Sequence, residues 1–281
     1  MKIRIIHHTE YEYKDEVFLE PHFLRLKPRP GPYLSLESFK LDIFPRPSGI
    51  SEFMDAENNN IHFCWFENLH RKLAIRTDMV MNISDFNPFN FIIYPDEYTD
   101  LPFKYDDRLE SLVKPALKGS HLSEKVIRYL DQARGESYSG SFDFILMLTR
   151  KIWNEFQLKS RVSGPPHDPG QTLNLKKGSC RDLAWLQIQL LRNIGIAARF
   201  VSGYYFLPME KPDYELHAWL EVFLPGAGWI GFDPSHGVVT GNTHFPLASS
   251  AFYENAMTVT GSVRGDADSE LKTNLQIEVL E

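Results

Sequence analysis

Cysteine is scarce in this chain, two residues in 281, and one of the two stands where a thiol could act as a nucleophile. Cys180 lies in Lys176-Lys177-Gly178-Ser179-Cys180-Arg181-Asp182, at the head of a stretch with helical spacing over residues 179–194. Ser179 is a good N-cap, so the helix begins at the thiol. The positive end of the helix dipole favours the thiolate, the form that attacks carbonyl carbon. Lys176, Lys177 and Arg181 add to this field if they point inward. At about 100° per residue, Leu183, Ala184, Ile188, Leu190, Leu191 and Ile194 fall on the side of Cys180. Arg181, Asp182, Gln189, Arg192 and Asn193 fall opposite. The thiol is therefore expected at the end of the core-facing side of an amphipathic helix. Alone, it reads first as an inert core cysteine, because free cysteine is commonly buried.

Two further segments change that weight. Leu216-His217-Ala218-Trp219-Leu220-Glu221-Val222 puts a histidine at the start of an apolar strand, and Gly228-Trp229-Ile230-Gly231-Phe232-Asp233-Pro234 ends a second strand in an aspartate. Pro225-Gly226-Ala227 between them reads as a hairpin turn, so the strands are expected to pair as antiparallel neighbours. A bulge or a diagonal contact would then bring His217 to Asp233. A carboxylate that fixes an imidazole, an imidazole that takes a thiol proton, and a thiol at a helix end form a nucleophile–base–orienter set. Taken singly, the histidine and the aspartate read as satisfied structural residues.

The motifs together resemble those of bacterial transglutaminase-like proteins. Gly178-Ser179-Cys180-Arg181-Asp182-Leu183-Ala184-Trp185 is similar to the family's nucleophile motif, and Ala197 with Arg199-Phe200-Val201-Ser202-Gly203-Tyr204 to the strand that follows it. His217-Ala218-Trp219 and Asp233-Pro234 resemble the His and Asp motifs, in the family's order. The resemblance is strongest over about 175–240. It implies an α+β fold: a papain-like, transglutaminase-like core, with a helix-end Cys packed on an antiparallel sheet, preceded by an antiparallel β domain. It also implies a Cys180–His217–Asp233 triad acting through a thioester on peptide or carboxamide bonds. Water as acceptor makes a cysteine protease or amidase; an amine makes a transglutaminase. Bacterial members are commonly described as cysteine proteases, and the chemistry needs no cofactor. The ten histidines look scattered, without metal-ligand spacing, so no metal site is expected.

Other residues are candidates for the same site. The Cys180 backbone N–H is expected in the oxyanion hole, with Trp153 or Gln157 as candidates for a second donor. Trp219 lines the acyl site or packs in the core, and Asp182 is either a supporting acceptor or simply an acid in a first helical turn. Trp229, Tyr204 and Tyr205 are open to the same two readings as Trp219. Ser235-His236-Gly237 departs from the family pattern, in which Thr or Ser is followed by Asn or Ser. His236 therefore competes with His217 as base; its place in a loop favours His217. The segment 206–216 is expected to border the cleft. Cys64, in an apolar strand, reads as core.

These residues need a scaffold, and the sequence outlines one. Residues 2–13 alternate apolar and polar, the period-2 mark of a half-buried strand. Strand-like runs over 18–26, 38–44, 61–66 and 72–81, separated by turn segments, suggest an antiparallel β domain over 1–85. A connection is expected over 86–120 and a catalytic domain over 121–281. In the latter, helices are expected over 122–134, 141–156 and 179–194, strands over 197–206, 216–224 and 229–232, and a terminal strand over 270–280. Ser123 would cap the first helix and Gly135 end it; Gly195 would end the third.

Composition sets outer limits. At 43 % hydrophobic and 24 % charged the chain reads as globular. A net charge of -7 argues against non-specific binding to nucleic acid or anionic membranes. The absence of an apolar h-region near Met1, and two cysteines in all, point to a cytoplasmic protein with reduced thiols. Beside the enzyme, two other classes would leave their own marks. A non-catalytic peptide-binding module would be signalled by loss of the Cys, His or Asp, and a metal-dependent hydrolase would need clustered ligands.

Overall fold

The computed structural model describes residues 1–161, 163–207 and 214–280. The N-terminal region consists of β1 (Lys2–Leu19), β2 (His22–Leu24), β3 (Leu34–Phe44), β4 (Gly49–Met54), β5 (Asn60–Trp65) and β6 (Leu69–Ile83). The alternation read in residues 2–13 is the alternation of burial as far as Thr9: Ile3, Ile5, His7 and Thr9 are buried and their neighbours partly exposed, while Tyr11 and Tyr13 are only partly buried. Ile3 and Ile5 meet Leu73, Ile75, Met79 and Met81 of β6, together with Leu24 of β2 and Cys64 of β5, in one apolar core.

The middle of the chain is helical. It holds α1 (Asp107–Leu117), α2 (Glu124–Arg134), α3 (Ser141–Glu155), the short β7 (Gln157–Leu158), α4 (Pro169–Leu175), β8 (Lys177–Gly178) and α5 (Cys180–Asn193). The second half of the expected connection thus folds as α1, whose Asp106 N-cap accepts from the amides of Arg108 and Leu109. Its few apolar residues hid it, since only Val113 and Ala116 are buried. Ser123 stands at the N-cap of α2, without a side-chain capping bond, and Gly135 at its C-cap.

A second sheet follows, built from β9 (Ala198–Tyr205), β10 (Leu216–Leu224), β11 (Gly228–Asp233), β12 (Val238–Val239) and β13 (His244–Ser250) in the antiparallel order β12-β11-β10-β9-β13. The chain ends in α6 (Tyr253–Ala256), β14 (Val259–Thr260), β15 (Val263–Arg264) and β16 (Ser269–Val279). The terminal strand was grouped with the catalytic unit from sequence. It pairs instead with β1 along nearly its whole length, Ile3 opposite Val279 and Tyr13 opposite Ser269. Alternation alone predicts a strand and cannot name its partner.

Helix α5 is the axis of the second unit. Its apolar side packs with Phe144, Leu148 and Ile152 of α3 and with Phe200, Leu220 and Val222 of the sheet. Three of the five residues of the expected polar side, Asp182, Gln189 and Arg192, are buried as well, and so is Gln187, while Arg181 is partly exposed and Asn193 exposed to solvent. Each of the buried ones has hydrogen-bond partners, as burial of polar groups requires. Gln187 donates to Thr149 Oγ1 at 2.7 Å, Gln189 accepts from Ser120, and Arg192 donates to the carbonyls of Lys118, Ala198 and Ala251. A helix buried along most of its length holds its first residue, Cys180, in place.

The two cores meet along β9. Ala198 and Phe200 belong to the helical core, Tyr204 and Phe206 to the β core. Tyr204 Oη bonds His7 Nδ1 of β1 at 3.0 Å, and Asn59 exchanges two hydrogen bonds with the backbone of Ser249.

Candidate active site

Cys180 is the first residue of α5, with Ser179 at the N-cap. The turn is fixed by Asp182, whose Oδ2 accepts from the Ser179 amide and hydroxyl, both at 2.7 Å. Its Oδ1 accepts from the Arg161 guanidinium and the His167 amide, also at 2.7 Å. Burial raises the cost of the Asp182 charge, and these bonds outweigh it, holding the carboxyl below its ordinary value. With both oxygens occupied, Asp182 ties Arg161 and His167 to the start of α5. Arg181 reinforces the same clamp through the carbonyls of Gly164 and Arg161.

His217 and Asp233 arrive on the hairpin β10–β11. Pairing of Leu220 with Phe232 sets the register, so the next position in line sets Trp219 against Asp233. His217, two residues on and on the same face, makes the expected diagonal contact: Nε2 lies 2.8 Å from Asp233 Oδ2. Cys180 stands near enough for its charge to act on the same imidazole. His217 is 9 % exposed and Asp233 fully buried. Burial works against the imidazolium, but the charges of Asp233 and Cys180 and the bond to Asp233 push His217 up to about 10. Asp233 is held well below the ordinary carboxylate range: burial opposes this, and the His217 charge and imidazole donors prevail.

The carboxylate is more crowded than the motifs suggested. His236 Nδ1 lies 2.7 Å and His244 Nε2 3.1 Å from the same Asp233 Oδ2, while Oδ1 accepts from the Ser235 amide at 2.8 Å. Three histidines that look scattered in sequence thus converge, and ligand atoms of His217, Asp233 and His236 lie within 4.8 Å of one another. These are residue types that hold divalent ions. Their nitrogens, however, point at the carboxylate oxygen itself at hydrogen-bond distance, as N–H donors do. The Tyr205 ring covers all three imidazoles, with centroids 5.4, 4.3 and 4.8 Å from those of His217, His236 and His244.

The remaining candidates separate. Trp219 is 2 % exposed and packs against the rings of His217 and His244, so it supports the cluster from the core side and does not line a cleft. Tyr204 is buried in the β core. Trp229 pairs opposite Phe223, six residues along β10 from His217, and lies under the Arg199 guanidinium. Trp153 is half exposed on α3, and its ring contacts Gly237, directly after His236. Gln157 and Leu158 pair with Lys177 and Gly178, beside the nucleophile turn. Of the loop expected to border the cleft, residues 208–213 lie outside the described residues; Glu215 accepts from Ser160 and Tyr214 bridges Leu275 of β16. Cys64 is fully buried.

His244 was missed. It opens β13, whose Pro246 falls at a register shift opposite β9, and a proline within seven residues disguises a strand. The signal that could have found it was a lone histidine ten or so residues beyond the Asp-Pro pair.

Comparison with known proteins agrees with this geometry. Residues 3–82 match the bacterial transglutaminase-like N-terminal region and residues 128–234 the transglutaminase-like superfamily. Uncharacterized proteins of Mycobacterium tuberculosis (Rv2569c) and Mycobacterium bovis (Mb2599c) are each 24 % identical over 293 residues, covering 96 % of this chain and 90 % of theirs. A crystal structure described as "a Putative Cysteine Protease from Cytophaga hutchinsonii" superposes with a TM-score of 0.72 at 21 % identity, covering 100 % of this chain and 91 % of that one. Together these give the fold: a transglutaminase-like core with an N-terminal β region. No helix among the described residues is long and apolar enough to cross a membrane.

Proposed function

From a chain whose residues 128–234 carry the transglutaminase-like core, we infer a thiol-dependent acyl hydrolase in which Cys180 is the nucleophile, His217 the acid–base and Asp233 the orienter. The observation that carries this reading is His217 itself: a buried imidazole hydrogen-bonded to Asp233, with Cys180 near enough for its charge to favour the protonated ring. An imidazolium is favoured there because the buried carboxylate supplies the compensating charge, and it is the partner that a Cys180 nucleophile needs.

The reaction follows from the arrangement. The Cys180 thiolate attacks the carbonyl carbon of a peptide or carboxamide. The oxyanion forms near the first amides of α5, which have no acceptor within the helix. The tetrahedral intermediate collapses when His217 gives its proton to the departing amine, leaving a thioester on Cys180. Water enters, His217 takes its proton, and hydroxide adds to the thioester. The acid is released and Cys180 regains the thiolate. Asp233 keeps its charge throughout and holds the ring in place.

Hydrolysis is favoured over transfer because nothing in the described site is specific for an amine. The test offers a glutamine peptide and a panel of peptide amides, with and without a primary amine at about millimolar level, a concentration within the usual range of KM. The wild type is expected to give mainly acid product, and Cys180→Ala none. Amine adduct in excess of acid would make the protein a transferase. Turnover that survives in Cys180→Ala would end the thiol reading.

A further inference from the structure

The proposed triad uses one of the three imidazoles that meet at Asp233. His236 stands in the turn directly after β11 and is 30 % exposed. His244 differs: it is 1 % exposed and comes from β13, a strand separate from the hairpin that carries both His217 and Asp233. We propose that His244 is a positioning residue for the reaction, its Nε2–H fixing the Asp233 carboxylate so that Asp233 can in turn fix His217. This rests on the Cys180–His217–Asp233 reading.

The tautomer supports it. Burial keeps the His244 imidazole neutral, even with Asp233 beside it. A neutral imidazole has one N–H, and a carboxylate can only accept. The proton therefore sits on Nε2, 3.1 Å from Asp233 Oδ2, and Nδ1 accepts the Thr243 hydroxyl at 3.0 Å. Thr243 selects the donor, and His244 delivers it. A side chain that merely filled the space between Trp219 and Tyr205 would need no polar atom, and burying an imidazole is costly unless both nitrogens are satisfied.

The backbone is tied from outside the catalytic sheet as well. The His244 amide donates to Gly241 at 3.0 Å, and its carbonyl accepts the Tyr33 hydroxyl of the N-terminal region at 2.7 Å. His244 is thereby an anchor whose place does not depend on the β10–β11 turn. The ionisable groups around Asp233 are His217 from β10, His236 from the following turn, Tyr205 from β9 and His244 from β13, with Cys180 of α5 beyond His217. Losing one N–H donor makes the carboxylate easier to protonate, and a protonated Asp233 no longer supports the thiolate–imidazolium pair.

The rate of Cys180 alkylation by iodoacetamide as a function of pH tests this without a substrate. In His244→Phe the low-pH limb is expected to move up by about one pH unit, roughly a tenfold slower reaction at a given pH on that limb. On the alkaline side, where the thiolate forms unaided, the change should stay under about twofold. His244→Gln returns an N–H near the Nε2 position and is expected to restore the limb. Thr243→Val should give a smaller shift of the same sign, and serves if the Phe variant does not fold. His217→Ala, run alongside, should remove the low-pH reactivity. If His217→Ala moves the limb while His244→Phe and Thr243→Val leave it in place, the positioning role is overturned and the triad stands. If His217→Ala also changes nothing, both fall together.

Discussion

The chain contains two cysteines near histidines, and only one of the two neighbourhoods also holds a buried carboxylate. In the N-terminal region Cys64 lies on β5 opposite His22 of β2, with His62 two residues along. Its thiol contacts the His22 carbonyl at 3.7 Å. Burial decides everything there. It pushes Cys64 up to about 11 and lowers both His22 and His62, so all three stay neutral at physiological pH. Around Cys180 burial acts in the same direction, but a fully buried carboxylate reverses the outcome for His217. A cysteine near imidazoles is therefore not an active site. The desolvation cost of an ion pair is met only where a third charge is already held in place, and here Asp233 is held by four donors.

The contrast can be broken most severely at the centre. Cys180→Ala should abolish turnover and His217→Ala should lower kcat/KM by about 10³ or more, with circular dichroism unchanged. If His236→Ala were lethal and His217→Ala mild, the wrong imidazole would have been assigned the base role. Next comes the charge itself. Asp233→Asn keeps the shape but sets an amide against three imidazole donors, and should lower kcat by about 10²–10⁴; a near-normal kcat would remove Asp233 from the mechanism.

Labelling compares the two thiols directly. Limiting iodoacetamide at neutral pH, followed by peptide mapping, should modify Cys180 and leave Cys64 untouched until denaturant opens the β core. Preferential modification of Cys64 would invert the comparison.

The pH dependence of stability should carry the same signature. His217 is raised from 6.5 to about 10 on folding. Its contribution is full below about 6.5, declines above that and is gone once pH passes about 10. Asp233 is depressed from 3.8, so its contribution is present above that value and is lost on acidification through its folded value. Urea midpoints should therefore fall more steeply between pH 6.5 and 10 in the wild type than in His217→Gln. Equal slopes would show that the pair does not stabilise the fold. The smallest effect belongs to the other cysteine: Cys64→Ala should cost about 1–2 kcal/mol of core packing and leave turnover unchanged.

Local patterns determined a good deal of this protein. The N-cap Ser179, the hairpin turn at Pro225–Ala227 and the period-2 strands set α5, β10 and β11, and with them the places of Cys180, His217 and Asp233. Such features depend on neighbours within a few residues, so a single sequence displays them. The burial of Trp219, Asp182, Gln189 and Arg192, the pairing of β16 with β1 and the arrival of His244 at Asp233 depend on contacts between segments far apart in the chain. Asp233 and His244 are eleven residues apart yet lie on strands separated by two others in the sheet order. Only tertiary structure could bring them together, because side-chain alternation says which face a residue takes and never which strand will stand beside it.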